Sequence, residues 1–411
     1  MRDDAERIWT RAIWAILPDE AVERALQGVS FPGRVFLVAA GKAAWQMANA
    51  ALRCLPHPVD SGIVITKEGH IRGELPPPVV CREGGHPVPD ARSFRATEEA
   101  LELLARAHLQ ETDTVLFLLS GGGSALFEKP TVPPETLLDV TRQLLACGAD
   151  IVEMNTIRKR LSAVKGGRFA RYCEPARIFQ IVLSDIVGDP LDLIASGPAC
   201  PDQTTCRQAL EIATRYRLDL PDCAWDRLRE EPPKTLPNVR TEITGSVREL
   251  CRAASAVCKE LGYEPILLTD CLTCQAREAG AFLASVLCTH AHDGKRLAFL
   301  AGGETVVRLT GTGKGGRNQE LALAAAQGIA GMTNAAVFSV GSDGTDGPTD
   351  AAGGYVDGDT SATLQECGLD IRQVLENNDA YHALARCDGL IITGPTGTNV
   401  NDLAVALIQG V

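Results

Sequence analysis

The 411-residue chain is 45% apolar and 22% charged, a soluble globular balance, and is long enough for two domains. Its net charge of −12 excludes a general binder of nucleic acid or anionic membranes, so an anionic ligand would need basic groups gathered locally. No stretch reaches the ~18 apolar residues of a membrane span. The acidic amphipathic start, MRDDAERIWTRAIWAI, is no signal peptide, and fourteen cysteines without an export signal point to a reduced, cytoplasmic chain with mostly buried thiols.

Ala5 to Leu26 reads as a helix, broken near Pro18. Arg34 to Ala40, RVFLVAA, reads as a buried strand ending in Gly41-Lys42, and Ala43 to Leu52 as a helix. Strand, glycine turn and helix make one unit of a parallel sheet. Lys42 then lies at a strand's carboxyl edge, where open α/β sheets bind ligands; the plainer alternative is a lysine in a solvated turn. Short strands at Gly62–Thr66 and Val79–Arg82 follow, then the turn-rich GGHPVPD of Gly84–Asp90 and a helix from Ser93 to His108, capped by Ser93.

The chain is organised around Asp113–Pro130, DTVLFLLSGGGSALFEKP. A strand from Thr114 to Leu119 breaks into Gly121-Gly122-Gly123, flanked by Ser120 and Ser124. Three glycines let several N–H groups turn toward one point, and a helix starting over Ala125 to Glu128 would add its free amides. That is a cradle for phosphate or carboxylate; the alternative is an ordinary strand–turn.

Glu135 to Gly148 is an amphipathic helix. Asn155 to Gly167 reads as a basic helix, and Arg158, Lys159, Arg160, Lys165 and Arg168 form either a solvated face or a local positive field. The strand Ile178 to Ser184 ends in a turn holding Asp185 and Asp189, which suit a Mg²⁺ ligand or a base and equally suit turn chemistry. Strand–helix alternation to this point argues for a doubly wound α/β domain. Gln208 to Arg229 is helical and Glu230–Asn238 looks like a linker, placing a domain boundary near Pro237, between residues 1–236 and 237–411.

The second half restarts with strands Thr241–Thr244, Pro265–Thr269 and Leu297–Ala301 and helices Val247–Leu261 and Gln275–Leu287. Cys271 and Cys274, with Cys288, His290 and His292 beyond, read as structural thiols, since no second C-x-x-C closes a metal set. A strand Glu304–Leu309, a G-x-G-x-x-G at Gly311–Gly316 and a helix Asn318–Gln327 resemble a dinucleotide fingerprint, but Lys314 and Arg317 inside the loop favour phosphoryl recognition. Strand Ala336–Val340 leads to an acidic loop bearing Asp343 and Asp346, which lacks the twelfth-position Glu of an EF-hand. A last strand, Gly389–Thr393, is followed by a polar glycine loop reaching Asp402 and then a helix. Glycine-rich strand ends in both halves point to a cleft between two α/β domains.

Several chemistries drop out. There is no G-x-x-x-x-G-K-[ST], no protein-kinase H-R-D or D-F-G, no G-x-S-x-G elbow and no H-E-x-x-H. Ser162-x-x-Lys165 lacks the S-D-N and K-T-G partners of acyl transferases.

GKAAWQMA, GGHPVPD, LLSGGGSAL, MNTIRKRLSAVKGG, SDIVGDPLDLIASGP, GGETVVRLTGTGKGGRNQELALAAA, GSDGTDGPTDAAGG and TGPTGTNVNDL run in one order along nearly the whole chain. In these stretches it resembles the D-glycerate kinases of the MOFRL type. Val247 stands where that family has Asn. The resemblance implies an N-terminal Rossmann-like parallel sheet, a C-terminal mixed α/β domain and ATP-dependent phosphorylation of D-glycerate to 2-phosphoglycerate in the cleft. It also implies Lys42 as an essential lysine in the cleft and Arg317 as a second cationic group. In the mechanism this suggests, Ser120, Gly121, Gly122, Gly123 and Ser124 hold nucleotide phosphates. Lys165, Glu304, Asn318, Asp343, Thr398 and Asn401 join them in binding the nucleotide and Mg²⁺. Asp189 or Asp346 ligates Mg²⁺, and Asp185 or Asp343 handles the proton of the 2-hydroxyl. The other readings are an NAD(P)H-dependent hydroxypyruvate reductase, using Gly311–Gly316, and a non-catalytic ligand-binding protein. A homodimer is left open.

Overall fold

Thr114–Leu119 has six consecutive apolar or β-branched residues, and all six are buried. Such a strand must be covered on both faces, which is the situation of a parallel sheet interior. The computed structural model, which describes residues 1–410, builds a six-stranded sheet around it. The strands are β1 (Val35–Ala40), β2 (Ser61–Lys67), β3 (Val79–Gly84), β4 (Thr114–Leu119), β5 (Arg177–Leu183) and β6 (Val239–Gly245), in spatial order 3-2-1-4-5-6. Pairing is parallel from β3 through β5. This is the strand order of dinucleotide-binding Rossmann domains, and it reverses between β1 and β4.

Side chains alternate across that sheet. Leu116 and Leu118 pack with Ala44, Met47 and Ala51 of the helix Ala44–Cys54. Phe117 points the other way, into an aromatic cluster with Phe127 and Phe169. The unit so formed comprises Ala21–Ser184 and Asp189–Thr244.

The second unit comprises Met1–Glu20, Asp185–Gly188 and the chain from Gly245 on. Its sheet has strands β7 (Glu264–Leu272), β8 (Leu297–Gly303), β9 (Ala335–Gly341), β10 (Gly353–Asp357), β11 (Leu390–Ile391) and β12 (Asp402–Ile408) in the order 11-10-9-12-8-7. Only β7 and β8 pair in parallel; the rest is antiparallel. Ala404, Ala406 and Ile408 face a core with the helices Ala276–Thr289 and Arg317–Gly328. Leu403, Val405 and Leu407 face Ile8, Trp9 and Ile13 on one side of the helix Arg2–Trp14, together with the helix Val247–Glu260.

The first helix, expected in the N-terminal domain, therefore belongs to the second unit, because its apolar stripe closes the face of β9 and β12; Trp9 meets Phe338 edge-on at 5.2 Å. Asp402–Ile408 is the central strand of this sheet and not the expected helix, since a short apolar run fits either until its neighbours are known. Glu304–Leu309 makes no strand beyond one bridge at Val306, and Leu309 is exposed. Gln208–Arg229 splits into Cys206–Arg215 and Asp222–Leu228. The helix expected to begin at Ser93 is capped by Asp90, whose carboxylate accepts the amides of Arg92 and Ser93. No cysteine among the described residues is in a disulfide, but only Cys173, Cys251 and Cys258 are buried; the rest are half-buried or exposed, contrary to expectation. No described helix is long and apolar enough to cross a membrane.

Candidate active site

The first unit gathers its chemistry where the strand order reverses. Gly41 adopts φ +128°, and a Cβ there would run into Ser120, so glycine lets the end of β1 press against the end of β4. The crossing is tied by Lys42 N–H to Gly121 O (2.9 Å) and Ala43 N–H to Ser120 Oγ (3.1 Å). Thr66 Oγ1 donates to Gly41 O, and His70 Nδ1 meets Lys42 O at 3.0 Å. The main chain of Lys42 is thus fixed, while its side chain has no ion-pair partner among the described residues.

The helix after the glycines is a single turn, Gly123–Leu126, earlier than expected. The amides of Gly121 and Gly122 donate to nothing among the described residues, whereas Gly123 N–H is used by Ser120 O. Ser120 Oγ accepts the Ala43 amide. Ser124 Oγ lies 3.2 Å from Ser196 Oγ, which donates to Asn155 Oδ1. Asn155 and Ser196 come from distant segments, and no local pattern marked them.

Lys165 is not a ligand-facing cation. It is fully buried, and its ammonium donates to Ser124 O (2.7 Å), Phe127 O (3.4 Å) and Glu128 Oε2, using all three donors. Burial pulls its pKa down and the Glu128 carboxylate opposes that. Lys159 and Arg160 are buried too, around Asp202 and Thr204, so most of the expected basic face is interior. The helix carrying them is Ile151–Arg160, four residues earlier than predicted at its start, with a capping box at Asp150. Asp189 has φ +53°, and its Oδ1 is buried without a hydrogen-bond partner among the described residues.

In the second unit Arg317 opens the helix Arg317–Gly328. It pairs with both oxygens of Asp402, through Nε and Nη2, and its Nη1 lies 3.1 Å from Glu304. Burial opposes the charge, but Asp402, Glu304 and Asp346 more than offset it and hold the guanidinium pKa above its ordinary value. Asn401, at φ +67°, donates to Asp185 O (3.2 Å) and Glu304 Oε2 (3.3 Å), and its own Oδ1 is buried without a partner among the described residues. Asp343 Oδ1 accepts from Thr345, and Thr398 Oγ1 donates to Ile16 O. Asn318 is buried between Ser339 and Asp346, a structural position rather than a ligand contact.

Asp346 caps this helix from a neighbouring loop, accepting the amides of Asn318 (3.1 Å) and Gln319 (2.9 Å). A Cβ on Gly316 would collide with that carboxylate, so Gly316→Ala is expected to cost about 1–3 kcal/mol, read by urea unfolding. Both Asp346 oxygens thus serve the helix N-terminus, the structural use of this carboxylate. Burial pushes its carboxyl up to about 6, against the two amides and Arg317 that lower it. An acid that holds its proton more tightly folded than unfolded contributes its full stabilisation below the unfolded pKa and loses it as pH rises to the folded one. Raising pH from 3.8 to about 6 should therefore destabilise the wild type relative to Asp346→Asn, measured as the difference in urea midpoint.

The G-x-G-x-x-G loop is likewise filled from within. Gly311 N–H donates to Asn378 Oδ1, Thr312 N–H to Asn377 Oδ1, Gly313 N–H to Asn377 O and Lys314 N–H to Asp379 Oδ1. Lys314 Nζ stacks on the Tyr381 ring at 4.3 Å. Four of the six amides in that run are therefore already engaged by the chain itself. Cys271 and Cys274 are exposed, and no cluster of three or more His, Cys, Asp or Glu suited to a metal occurs among the described residues.

Residues 4–229 match a family described as a domain of unknown function (DUF4147), and residues 297–402 match the MOFRL family. The D-glycerate 2-kinase of Thermotoga maritima is 48% identical over 410 residues, covering 98% of this chain and 97% of that protein. A crystal structure of a Thermotoga maritima glycerate kinase superposes with a TM-score of 0.93 at 47% identity, covering 99% of each chain. An Agrobacterium vitis protein provisionally named a hydroxypyruvate reductase is 39% identical over 392 residues, 92% of this chain and all of that one.

Proposed function

The chain belongs to the family of MOFRL-type D-glycerate kinases, and we infer from that membership that it transfers the terminal phosphoryl group of ATP to the 2-hydroxyl of D-glycerate, giving 2-phosphoglycerate and ADP. The observation that carries the reading is the pair of uncommitted amides, Gly121 and Gly122, beside Lys42 where the strand order reverses. Phosphoryl transfer asks a protein chiefly for positioning and charge stabilisation, and donors already aimed at one point supply both. The same accounting weighs against a reductase, because the glycine fingerprint that would seat a dinucleotide has spent four of its six amides on Asn377, Asn378 and Asp379.

Roles follow residue by residue. Gly121 and Gly122 amides bind phosphate oxygens, with Gly123 shaping their turn. Lys42 neutralises charge on the transferring group. Arg317, aimed by Asp402, is the second cation; Glu304 pairs with its Nη1 and is itself held by Asn401. Asp343 keeps one carboxylate oxygen beyond its own turn, and Asp185 is the other acidic candidate for the hydroxyl proton.

Mg²⁺ is the metal such a reaction implies. Asp189 fits as a ligand, since its buried Oδ1 is a hard oxygen donor without a partner among the described residues. Mg²⁺ is commonly held by one or two carboxylates plus substrate phosphates, so a dedicated protein cage is not required. Bound there, the ion would screen the phosphate charge. Cysteines outside any disulfide among the described residues support a reducing, cytoplasmic setting.

The purified protein should release ADP from Mg-ATP when D-glycerate is added, with the phosphate on the 2-position by phosphorus NMR. It should leave NADH unconsumed with hydroxypyruvate. NADH loss without ADP release would replace the kinase reading.

A further inference from the structure

We propose that His86 is a further catalytic residue of this kinase, taking the proton of the glycerate 2-hydroxyl as that oxygen bonds to phosphorus. The inference rests on the kinase reading above and gives the hydroxyl proton to His86 in place of the carboxylates Asp343 and Asp185.

His86 sits at the tip of a pinned loop. Gly85 N–H donates to both Asp90 Oδ1 (3.1 Å) and Ser93 Oγ (3.0 Å). Asp90 also caps the helix Ala91–Arg106, and Arg92 clamps it from outside while reaching Glu68. The loop is therefore held from both sides, and it sets the imidazole against the glycine turn. A Cβ placed on Gly122 would lie 3.1 Å from His86 Nε2 and 3.2 Å from Lys42 Cγ. Imidazole and lysine stem thus flank the residue whose amide is uncommitted. Neither ring nitrogen of His86 has a hydrogen-bond partner among the described residues, and the side chain is half-buried rather than sealed.

Its protonation state suits the task. Burial, then the charges of Lys42, Lys67 and His70, hold the His86 pKa below its ordinary value. That direction favours the neutral ring, which offers a lone pair. A neutral acceptor has a further advantage beside phosphates, because a carboxylate there would repel the group it must approach.

The step balances as follows. The hydroxyl O–H bond breaks and its proton goes to an imidazole nitrogen. The oxygen forms a bond to the terminal phosphorus of ATP. The bond from that phosphorus to the bridging oxygen breaks, and ADP leaves with the electron pair. The imidazolium then returns its proton to water.

The test compares wild type with His86→Gln and His86→Ala, using D-glycerate and Mg-ATP. Absence of ADP release by the wild type would sink the kinase reading itself, and with it the proposal. Given wild-type turnover, kcat of His86→Gln should fall about 10²-fold or more with KM for ATP nearly unchanged. The acidic limb of the kcat–pH profile should vanish, and added imidazole should restore part of the turnover of His86→Ala. Circular dichroism and ATP binding report whether each variant is folded. A folded His86→Gln that keeps kcat within a few-fold and retains the acidic limb would overturn the proposal. So would a variant whose only defect is a raised KM for glycerate, since that makes His86 a binding contact.

Discussion

Lys42→Ala is expected to lower kcat/KM about 10²- to 10³-fold while leaving the urea midpoint nearly unchanged. The size is that of losing one preorganised donor at a centre of developing negative charge. The separation of activity from stability follows from how Lys42 is held. Its amide and carbonyl tie the crossing of β1 and β4, through Gly121 O, Thr66 and His70, and alanine keeps both. Its side chain pairs with no carboxylate among the described residues, so truncation strands no buried charge. Lys42→Arg should not rescue fully, because a planar fork does not replace a compact ammonium. A second readout is available. Lys42 helps depress the His86 pKa, so in Lys42→Ala the acidic limb of any residual activity should move to higher pH. Near-normal turnover by folded Lys42→Ala would remove lysine from the mechanism.

What could be read from residues alone was whatever local pattern dictates. An all-apolar run followed by three glycines can hardly be anything but a buried strand and a turn, and β4 and the Gly122 turn are there. Lys42 was visible for the same reason, since a strand, a glycine and a helix place it without reference to anything distant. The failures have one physical origin. Charge says nothing of burial until the partner is known, so Lys165 read as a cation for ligand although Glu128, a residue 37 positions away, had already claimed it. The glycine fingerprint looked like a phosphate seat because the Asn377–Asp379 segment that fills it arrives some sixty residues later. Asp402 was invisible as the partner of Arg317, and DLAVALI was ambiguous between helix and strand, until β8 and β9 were seen on either side. His86 stood inside a motif that was noticed, but only the Asp90 anchor turns that motif into a placed imidazole.

Lys165→Met is expected to destabilise the protein by about 3–5 kcal/mol, the usual cost of leaving one member of a buried ion pair unpaired. Methionine fills the volume of the lysine stem, so the loss is electrostatic rather than a cavity. What remains is a fully buried Glu128 carboxylate with only Ser162 Oγ to donate to it, and the carbonyls of Ser124 and Phe127 without their donor. Adding Glu128→Gln removes the stranded charge and should recover part of the loss, though the two carbonyls still lack an acceptor's partner at about 1–3 kcal/mol each. Urea unfolding of the two single variants and the double variant, closed as a cycle, should therefore give a coupling of several kcal/mol. Activity should separate this role from mere stability. Ser124 ends the glycine turn, so releasing its carbonyl should raise KM for ATP even where the double variant is fully folded. A Lys165→Met protein as stable as wild type would mean that the Glu128 pair does not secure the turn. A folded double variant with unaltered KM for ATP would mean that the turn holds its amides in place without it.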